Sequence, residues 1–304
     1  MSSHPHFKAY IALFSVYFFW GTTYLGIRMA LESFPPLTLI SARFIASGII
    51  MLAVLKLWGE KIPRGRELWL TALYGVVILG GGNGCLVYAE QWIPSGTAAL
   101  FITTSPFWMV GLEAVLPGGD RLHLPTMAGI VIGFTGVLIL IAPAAMNSPA
   151  GPELLKGFLV LQMGCLCWCL GSLLQRRQPT KAHPFVSGAV QQLATGLAFL
   201  PLALLVPQHA ISWNARGLWA IAYLVVFGSI VGYSAFVYIL EHLPVPIVST
   251  YTYVNPVVAV FLGWLFYKEP FGTREMIAMA AVFIGVAIVK YFAMTTPSAR
   301  RVAA

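Results

Sequence analysis

This chain of 304 residues is 59% hydrophobic and only 9% charged, whereas charged residues make up roughly 25% of a soluble domain. Its mean hydropathy of +0.82 excludes both a soluble globular fold and a disordered chain. The formal net charge of +8 comes from basic residues in short segments between apolar runs, so these residues do not form a face for binding nucleic acid. The composition predicts an integral membrane protein.

The apolar runs have the length of membrane-spanning helices, for which about 20 residues are needed. Charges, prolines and polar clusters divide the chain into ten such runs. The first run is longer than the apolar part of a signal peptide, roughly 7–15 residues, and is therefore predicted to remain as a helix. The ten predicted spans are 10–30, 35–57, 68–90, 95–117, 124–142, 155–175, 184–206, 216–240, 245–267 and 273–293.

Lysine and arginine are distributed unequally between the two sets of loops. With the N-terminus in the cytoplasm, the cytoplasmic side carries 12 of these residues and the opposite side carries 5, while Arg43 lies within a span. Cytoplasmic loops of membrane proteins carry an excess of positive charge. The distribution predicts a multi-pass membrane protein with both termini in the cytoplasm.

The two halves of the chain match each other at nearly constant offsets of 148 and 150 residues. The matched pairs are Trp20 with Trp168, Arg28 with Arg176, Pro36 with Pro184, Gly82 with Gly232, Tyr88 with Tyr238, Pro94 with Pro244 and Pro106 with Pro256. Their order favours a duplication over chance, with one repeat at 5–142, a linker at 143–154 and a second repeat at 155–293. Because each repeat has five helices, the second is predicted to be inverted in the membrane, as in carriers that work by alternating access.

Five short segments share their order and spacing with a known family. They are Phe19–Tyr24, Ser41–Phe44, Pro94–Leu100, Tyr253–Val258 and the pair Lys268-Glu269, which precedes the helix that contains Gly285. Together they resemble the EamA branch of the drug/metabolite transporter superfamily. The resemblance implies a ten-helix inner-membrane transporter that moves small metabolites outwards, often amino acids or their analogues.

Polar and aromatic residues in the middle of a span are candidates for lining a substrate cavity. In span 3, Gly80, Asn83, Gly84 and Tyr88 are predicted to share one helix face by their i, i+3, i+4 spacing. Tyr233 in span 8 occupies the position that matches Asn83. The candidate substrate-binding residues are Trp20, Tyr24, Asn83, Tyr88, Trp168, Tyr233, Tyr251 and Asn255.

Prolines and glycines within spans are candidates for helix breaks or gating. Proline lacks an N–H, so it frees a carbonyl one turn earlier, which either binds a ligand or is satisfied by a nearby hydroxyl such as that of Ser105 or Thr252. Glycines serve either close helix contact or a cavity wall. The candidates for helix breaks or gating are Pro106, Pro256, Gly80, Gly82, Gly228 and Gly232.

Arg43 is predicted to be a buried charge because it lies about nine residues into its span. It either anchors a substrate carboxylate or makes a structural contact with backbone carbonyls or with Glu113. The matching position in the second repeat is the neutral Gln191, which favours the structural role. Arg43 and Glu113 are therefore the two candidate buried charges.

The sequence gives no sign of a metal site, a cofactor or direct coupling to ATP. All six histidines lie in tails, loops or span ends, the four cysteines lie in apolar runs, and no Walker motif is present. The acids within spans, Glu90 and Glu113, are near span ends, so facilitated movement without tight proton exchange is expected. The predicted partners are a small-molecule substrate and membrane lipids, and the sequence leaves a monomer and a homodimer equally open.

Three other functions compete with the transport of small metabolites by a carrier. Related transporters flip lipids or lipid-linked sugars, and a passive channel is compatible with the apolar helices. A membrane-embedded enzyme that acts on lipids would need paired carboxylates, a histidine and acid pair or a metal cluster, and the sequence has none facing one pocket. The chain is therefore predicted to be a secondary transporter or facilitator and not an enzyme.

Overall fold

The structure is a computed structural model that describes residues 5–117, 124–147, 151–178, 182–243, 245–248, 250–269 and 271–294. Within these ranges it contains helices and no strand. We name the helical stretches α1 to α10 in chain order. They are α1 (Pro5–Leu31), α2 (Pro36–Leu57), α3 (Arg66–Ala89), α4 (Ser95–Val115), α5 (Leu124–Asn147), α6 (Gly151–Arg177), α7 (Pro184–Leu205), α8 (Ala215–His242), α9 (Val245–Val248 and Tyr251–Tyr267) and α10 (Thr273–Met294).

Each predicted span coincides with one of these helical stretches. Seven of them are long and apolar enough to cross a membrane, and two further apolar segments, Leu124–Ile139 and Val254–Tyr267, are shorter. The prediction of an all-α membrane protein is confirmed. The predicted linker is largely helical where it is described, because α5 continues to Asn147 and α6 already begins at Gly151. The alanine-rich sequence after residue 142 extends α5, since alanine has the highest helix propensity.

Four helices are interrupted, and the interruptions occur at matching places in the two halves. α3 contains a π-helical segment at Val76–Asn83, and α8 contains one at Leu224–Val231. α4 is broken between Ile102 and Ser105, and α9 has a turn at Thr250 before its long segment. π-helical turns are rare and occur frequently at functional sites. These irregular segments surround the centre of the bundle.

Small residues allow the backbones of two helix pairs to approach closely. A Cβ on Gly48 of α2 would lie 2.6 Å from the backbone N of Leu193 in α7. A Cβ on Gly285 of α10 would lie 2.5 Å from the carbonyl O of Gly129 in α5. In a bilayer, where lipid and side chains are equally apolar, such close backbone contact is a main source of helix association.

The main helix contacts of the first half recur in the second half when each helix is replaced by the one five places later in the chain. α1 packs against α8 and α9, while α6 packs against α3 and α4 in the same way. α2 packs against α7, and α5 packs against α10. The two halves therefore use equivalent helices for equivalent contacts, and the residues at the centre come from both halves.

Candidate substrate cavity

A central cavity lies where the irregular helices meet. Its volume is about 80 Å³ on a scale on which a single water molecule needs roughly 10–15 Å³. It therefore has room for several waters or part of a small solute. The lining residues are Trp20, Thr23, Tyr24, Arg43, Phe44, Leu79, Gly82, Asn83, Leu86, Ile102, Ser105, Leu161, Gly164, Cys165, Trp168, Gly228, Ser229, Tyr233, Tyr251 and Asn255.

Aromatic rings form one wall of the cavity. The ring of Trp20 packs edge-on against those of Trp168 and Tyr251, with centroids 5.4 Å apart in both pairs. Phe236 lies behind them, 5.1 Å from Trp20 and 5.2 Å from Trp168. Trp20 Nε1 donates to the carbonyl O of Gly228 at 3.1 Å, whereas the buried Trp168 Nε1 has no hydrogen-bond partner among the described residues. This wall is apolar with one indole N–H left unused.

The predicted glycines make room for the large side chains of the cavity. A Cβ on Gly82 would lie 2.8 Å from a ring carbon of Trp168, and a Cβ on Gly232 would lie 2.6 Å from Trp20 Nε1. A Cβ on Gly228 would lie 2.9 Å from Arg43 Nη2. Each distance is too short for a real Cβ contact, so these glycines hold open the space that the tryptophans and the arginine occupy.

Arg43 is 3% exposed and is held by neutral oxygens. Its Nε donates to Ser229 Oγ at 2.7 Å, and its Nη1 donates to Asn83 Oδ1 at 3.4 Å. The predicted contact with Glu113 is wrong, because Glu113 pairs with Arg177 Nη2 at 2.8 Å and is about one-third exposed. Arg177 is closer to water and reaches this acid at the end of the bundle, which leaves Arg43 without an acidic partner in the described chain.

The equivalent residues of the second half make an equivalent contact. Tyr233 and Gln191 match Asn83 and Arg43 in the repeat, and the Tyr233 hydroxyl donates to Gln191 Oε1 at 2.6 Å. Gln191 in turn donates from Nε2 to Gln175 Oε1 at 2.9 Å. Both contacts join the second helix of one half to the third helix of that half. The Gln191 amide nitrogen, the Gln191 amide oxygen and the Tyr233 hydroxyl thus each have a hydrogen-bond partner in the protein, whereas Arg43 Nη2 has no acceptor among the described residues.

Two candidate residues of span 3 lie outside the cavity. Gly80 faces Phe199 of α7, where a Cβ would lie 2.8 Å from its ring, and Tyr88 packs partly buried against the core. Asn83 instead lines the cavity together with Leu79, Gly82 and Leu86. Asn83 is three residues from Gly80 and four from Leu79, so helical spacing alone fits either face. In the folded protein Phe199 packs against Gly80, and Asn83 lies with Leu79 on the face that lines the cavity.

The prolines are also outside the lining. The carbonyl of Ile102, freed by Pro106, accepts from Ser105 Oγ at 2.7 Å, so the hydroxyl compensates for the missing N–H. Pro256 lies within α9 next to Asn255. With its amide oriented to satisfy both atoms, Asn255 donates from its nitrogen to the carbonyl oxygens of Tyr17 at 3.1 Å and Tyr251 at 3.3 Å. Asn255 thus joins α1 to the start of the long α9 segment.

Several lining residues were not singled out from the sequence. Thr23, Ser105 and Cys165 lie in apolar runs where a single small polar residue is common, and Leu79, Leu86 and Leu161 are ordinary core residue types. The pattern of polar residues along each span does not distinguish these residues from others in the same helix. Their role in the lining depends on how the helices are rotated, which only tertiary packing sets.

Charged groups connect several helices at one end of the bundle. Glu269, which follows α9, accepts from the backbone N and the Oγ of Ser95 at 2.9 Å each and from the backbone N of Gly96 at 3.0 Å. Arg28 Nε lies 3.6 Å from the same carboxylate. We call this cluster of Arg28, Ser95, Gly96 and Glu269 the end clamp. It ties α1, α4 and α9 together beside the cavity.

A second group of side-chain contacts lies at the same end of the bundle. Arg216 pairs with Glu32 at 3.3 Å, and the ring of Tyr267 lies between Arg216 and Arg28, with both guanidinium carbons within 5.4 Å of its centroid. This contact adds the start of α8 to the helices that the end clamp holds. Among the described residues, no group of three or more histidine, cysteine or acidic side chains is placed to hold a metal ion.

Comparison with known proteins assigns the family. A family model described as the EamA-like transporter family matches the chain twice, over residues 7–142 and 155–291. The chain belongs to the EamA-like transporter family. This EamA chain is therefore a membrane transporter and not an enzyme, and its predicted resemblance to the family is confirmed.

Similar proteins cover nearly the whole EamA chain. An inner membrane transporter from Escherichia coli K12, YedA, whose name calls it uncharacterized, is 33% identical over 91% of this chain and 89% of its own length. The protein PecM from Dickeya dadantii is 24% identical over 89% of this chain and 88% of its own. A crystal structure with 21% sequence identity superposes with a TM-score of 0.69 over 97% of this chain and 99% of its own, which shows a shared fold.

Proposed function

We propose that this EamA transporter exports small zwitterionic or uncharged metabolites, amino acids or their analogues, across the inner membrane by alternating access. The observation that carries the proposal is the central cavity, which is enclosed by residues from both halves and lined by aromatic and polar side chains. Binding sites for small molecules are concave, mostly apolar and equipped with a few polar groups. The residues that we expect to contact substrate are Trp20, Tyr24, Asn83, Trp168, Tyr233, Tyr251 and Asn255.

We infer that the two halves are inverted repeats and that both termini are cytoplasmic. The symmetric contacts between equivalent helices and the double match of the family model support the repeat. The excess of positive charge in alternate loops supports the orientation. In this orientation the end clamp lies on the outer side. The clamp then closes the outer entrance, and the inner end is joined by the more exposed pair of Glu113 and Arg177.

We infer that transport follows the substrate gradient. Among the described residues that line the cavity there is no aspartate, glutamate or histidine, which supports transport without a proton relay through the site. Glu113 is engaged by Arg177 at the end of the bundle. A carrier needs only two inverted states of similar free energy, between which substrate binding does not strongly discriminate.

Efflux from proteoliposomes loaded with a panel of radiolabelled amino acids tests this function. We expect saturable efflux of at least one apolar amino acid, with a rate that an imposed pH gradient changes less than about twofold. Liposomes that contain the heat-denatured protein serve as the control. Accumulation against the substrate gradient, driven by the pH gradient and abolished by Glu113→Gln, would show that the carrier is a proton antiporter.

A further inference from the structure

Among the described residues that line the cavity, Arg43 is the one with a charged side chain. We propose, on the basis of the function proposed above, that Arg43 binds the carboxylate of the substrate. We further propose that the substrates are small monocarboxylates with an apolar side chain, for which an amino group is not required.

The first step is that Arg43 has unused donors. An arginine side chain carries five N–H donors, and the described residues accept from two of them, one on Nε and one on Nη1. The remaining N–H groups, including both on Nη2, have no acceptor there. The side chain is 3% exposed and lines the cavity, so these donors are open to a solute or water inside it. A buried cation in this position favours an anion in the cavity.

The second step is that the described chain supplies no such anion. The ion pairs of the structure join Glu113 to Arg177, Glu269 to Arg28, and two further pairs away from the cavity, and none includes Arg43. Glu90 is buried, but the cation that acts on it electrostatically is Arg28. A purely structural arginine would be expected to contact carbonyls or an acid. Arg43 instead contacts a hydroxyl and an amide at the edge of an open space.

The third step concerns the kind of anion. The planar fork of a guanidinium matches the two oxygens of a carboxylate, and it also binds phosphate. A phosphate dianion would bring more negative charge than one arginine neutralises into a wall of tryptophan and tyrosine rings. A carboxylate is balanced by Arg43 alone. The aromatic wall of Trp20, Trp168 and Tyr251 then contacts an apolar side chain of the same molecule.

The fourth step concerns the amino group. The described lining residues include no acidic side chain, so an ammonium group would meet neutral oxygens and the faces of aromatic rings there. These contacts are compatible with an ammonium group, but binding does not require one. The carboxylate is therefore the part of the substrate that the site recognises by charge.

The proposal is tested by measuring binding to the purified full-length protein by isothermal titration calorimetry. The probes are valine, leucine and phenylalanine, the amide of each, and the acid of each that lacks the amino group. In the wild-type protein, at least one amino acid and its deaminated acid should bind with dissociation constants within about tenfold of each other. The matching amide should bind at least tenfold more weakly, since a hydrogen-bonded charge contact is lost.

Variants separate the charge of Arg43 from its packing. Arg43→Gln should weaken binding of both acids at least tenfold, and Arg43→Lys should restore part of the loss because it keeps the charge. Arg64→Gln, which removes an exposed guanidinium outside the cavity, should bind like the wild type. The comparison of acids with amides uses the wild-type protein, so it remains decisive if Arg43→Gln does not fold.

Two results would overturn the carboxylate site and leave the transporter function standing. They are equal affinities of acids and amides in the wild-type protein, or unchanged affinity for the acids in a folded Arg43→Gln variant. Failure of all nine probes to bind would overturn the carboxylate site. If proteoliposomes then also failed to release any amino acid of the panel, the proposed export function would fall with it.

Discussion

Asn83 positions Arg43 from the opposite side of the guanidinium to Ser229, through its Oδ1 at 3.4 Å. Asn83→Ala removes this acceptor without removing packed apolar surface. Because one long hydrogen bond contributes a modest free energy, we expect the transport rate to fall about threefold to tenfold and the melting temperature to stay unchanged. Efflux assays and thermal unfolding measure the two quantities.

Asn255→Ala is expected to lower transport as well, since Asn255 also lines the cavity. Gln91→Ala, at an exposed position outside the lining, provides the matched control. Normal transport rates in both asparagine variants would contradict a polar cavity at this place.

At the scale of single residues, the sequence predicts which residues line the cavity better than it predicts their contacts. The mid-span positions of Trp20, Trp168 and Arg43 follow from counting residues from the span ends, and the cavity lining includes all three. The hydrogen-bond partners of Arg43 could not be predicted in this way, because an arginine side chain is long enough to reach several helices. The choice of Ser229 and Asn83 over Glu113 depends on the rotation of α3 and α8, whose central turns are π-helical.

At the scale of helices, the spans were predictable because length and hydropathy decide whether a segment crosses a bilayer. The interruptions were not. A π-helical segment leaves the apolar composition unchanged, and the break before Ser105 in α4 precedes a proline that the sequence identified only as a possible break. Gly82 and Gly228 lie within the π-helical segments and Gly232 directly follows the second one, but the side chains that fill their space come from other helices.

The end clamp is expected to control opening of the outer side. Glu269→Gln keeps the shape of the side chain but replaces one oxygen with an NH₂ group that cannot accept from Gly96 or Ser95. Loss of a charged hydrogen bond contributes about 1.5–3 kcal/mol, which corresponds to at least about a tenfold shift towards the outward-open state. The native Cys165 lines the cavity and reports this opening.

We expect an impermeant maleimide, added to the outside of intact cells, to label Cys165 at least about tenfold faster in Glu269→Gln than in the wild type. The measurement uses a background in which Cys85, Cys167 and Cys169 are replaced by Ser. Arg177→Gln, which breaks the pair at the opposite end, is the matched control and should not speed external labelling. Equal labelling rates in the Glu269→Gln variant and the wild type would contradict a clamp on the outer side.

At the scale of the whole molecule, the repeat in the sequence and the symmetric helix contacts describe the same relation between the two halves. The prediction of a repeat rests on offsets that are ordered along the chain. The difference between matching positions could not be predicted. Arg43 with Asn83 and Gln191 with Tyr233 occupy matching positions, yet one pair leaves a charge facing the cavity and the other is satisfied within the protein. Because of this difference, the proposed substrate cavity has a charged group on one side, although the helices around it pack symmetrically.

Entrance counterflow tests most directly the central claim that the cavity serves an alternating-access carrier of small amino acids. Proteoliposomes are loaded with an excess of unlabelled leucine and diluted into a trace of radiolabelled leucine. A carrier should show transient accumulation of label above its equilibrium level, because each outward passage of unlabelled substrate returns the site to collect labelled substrate. Uptake of label that only rises to equilibrium, at a rate independent of the internal leucine, would contradict alternating access.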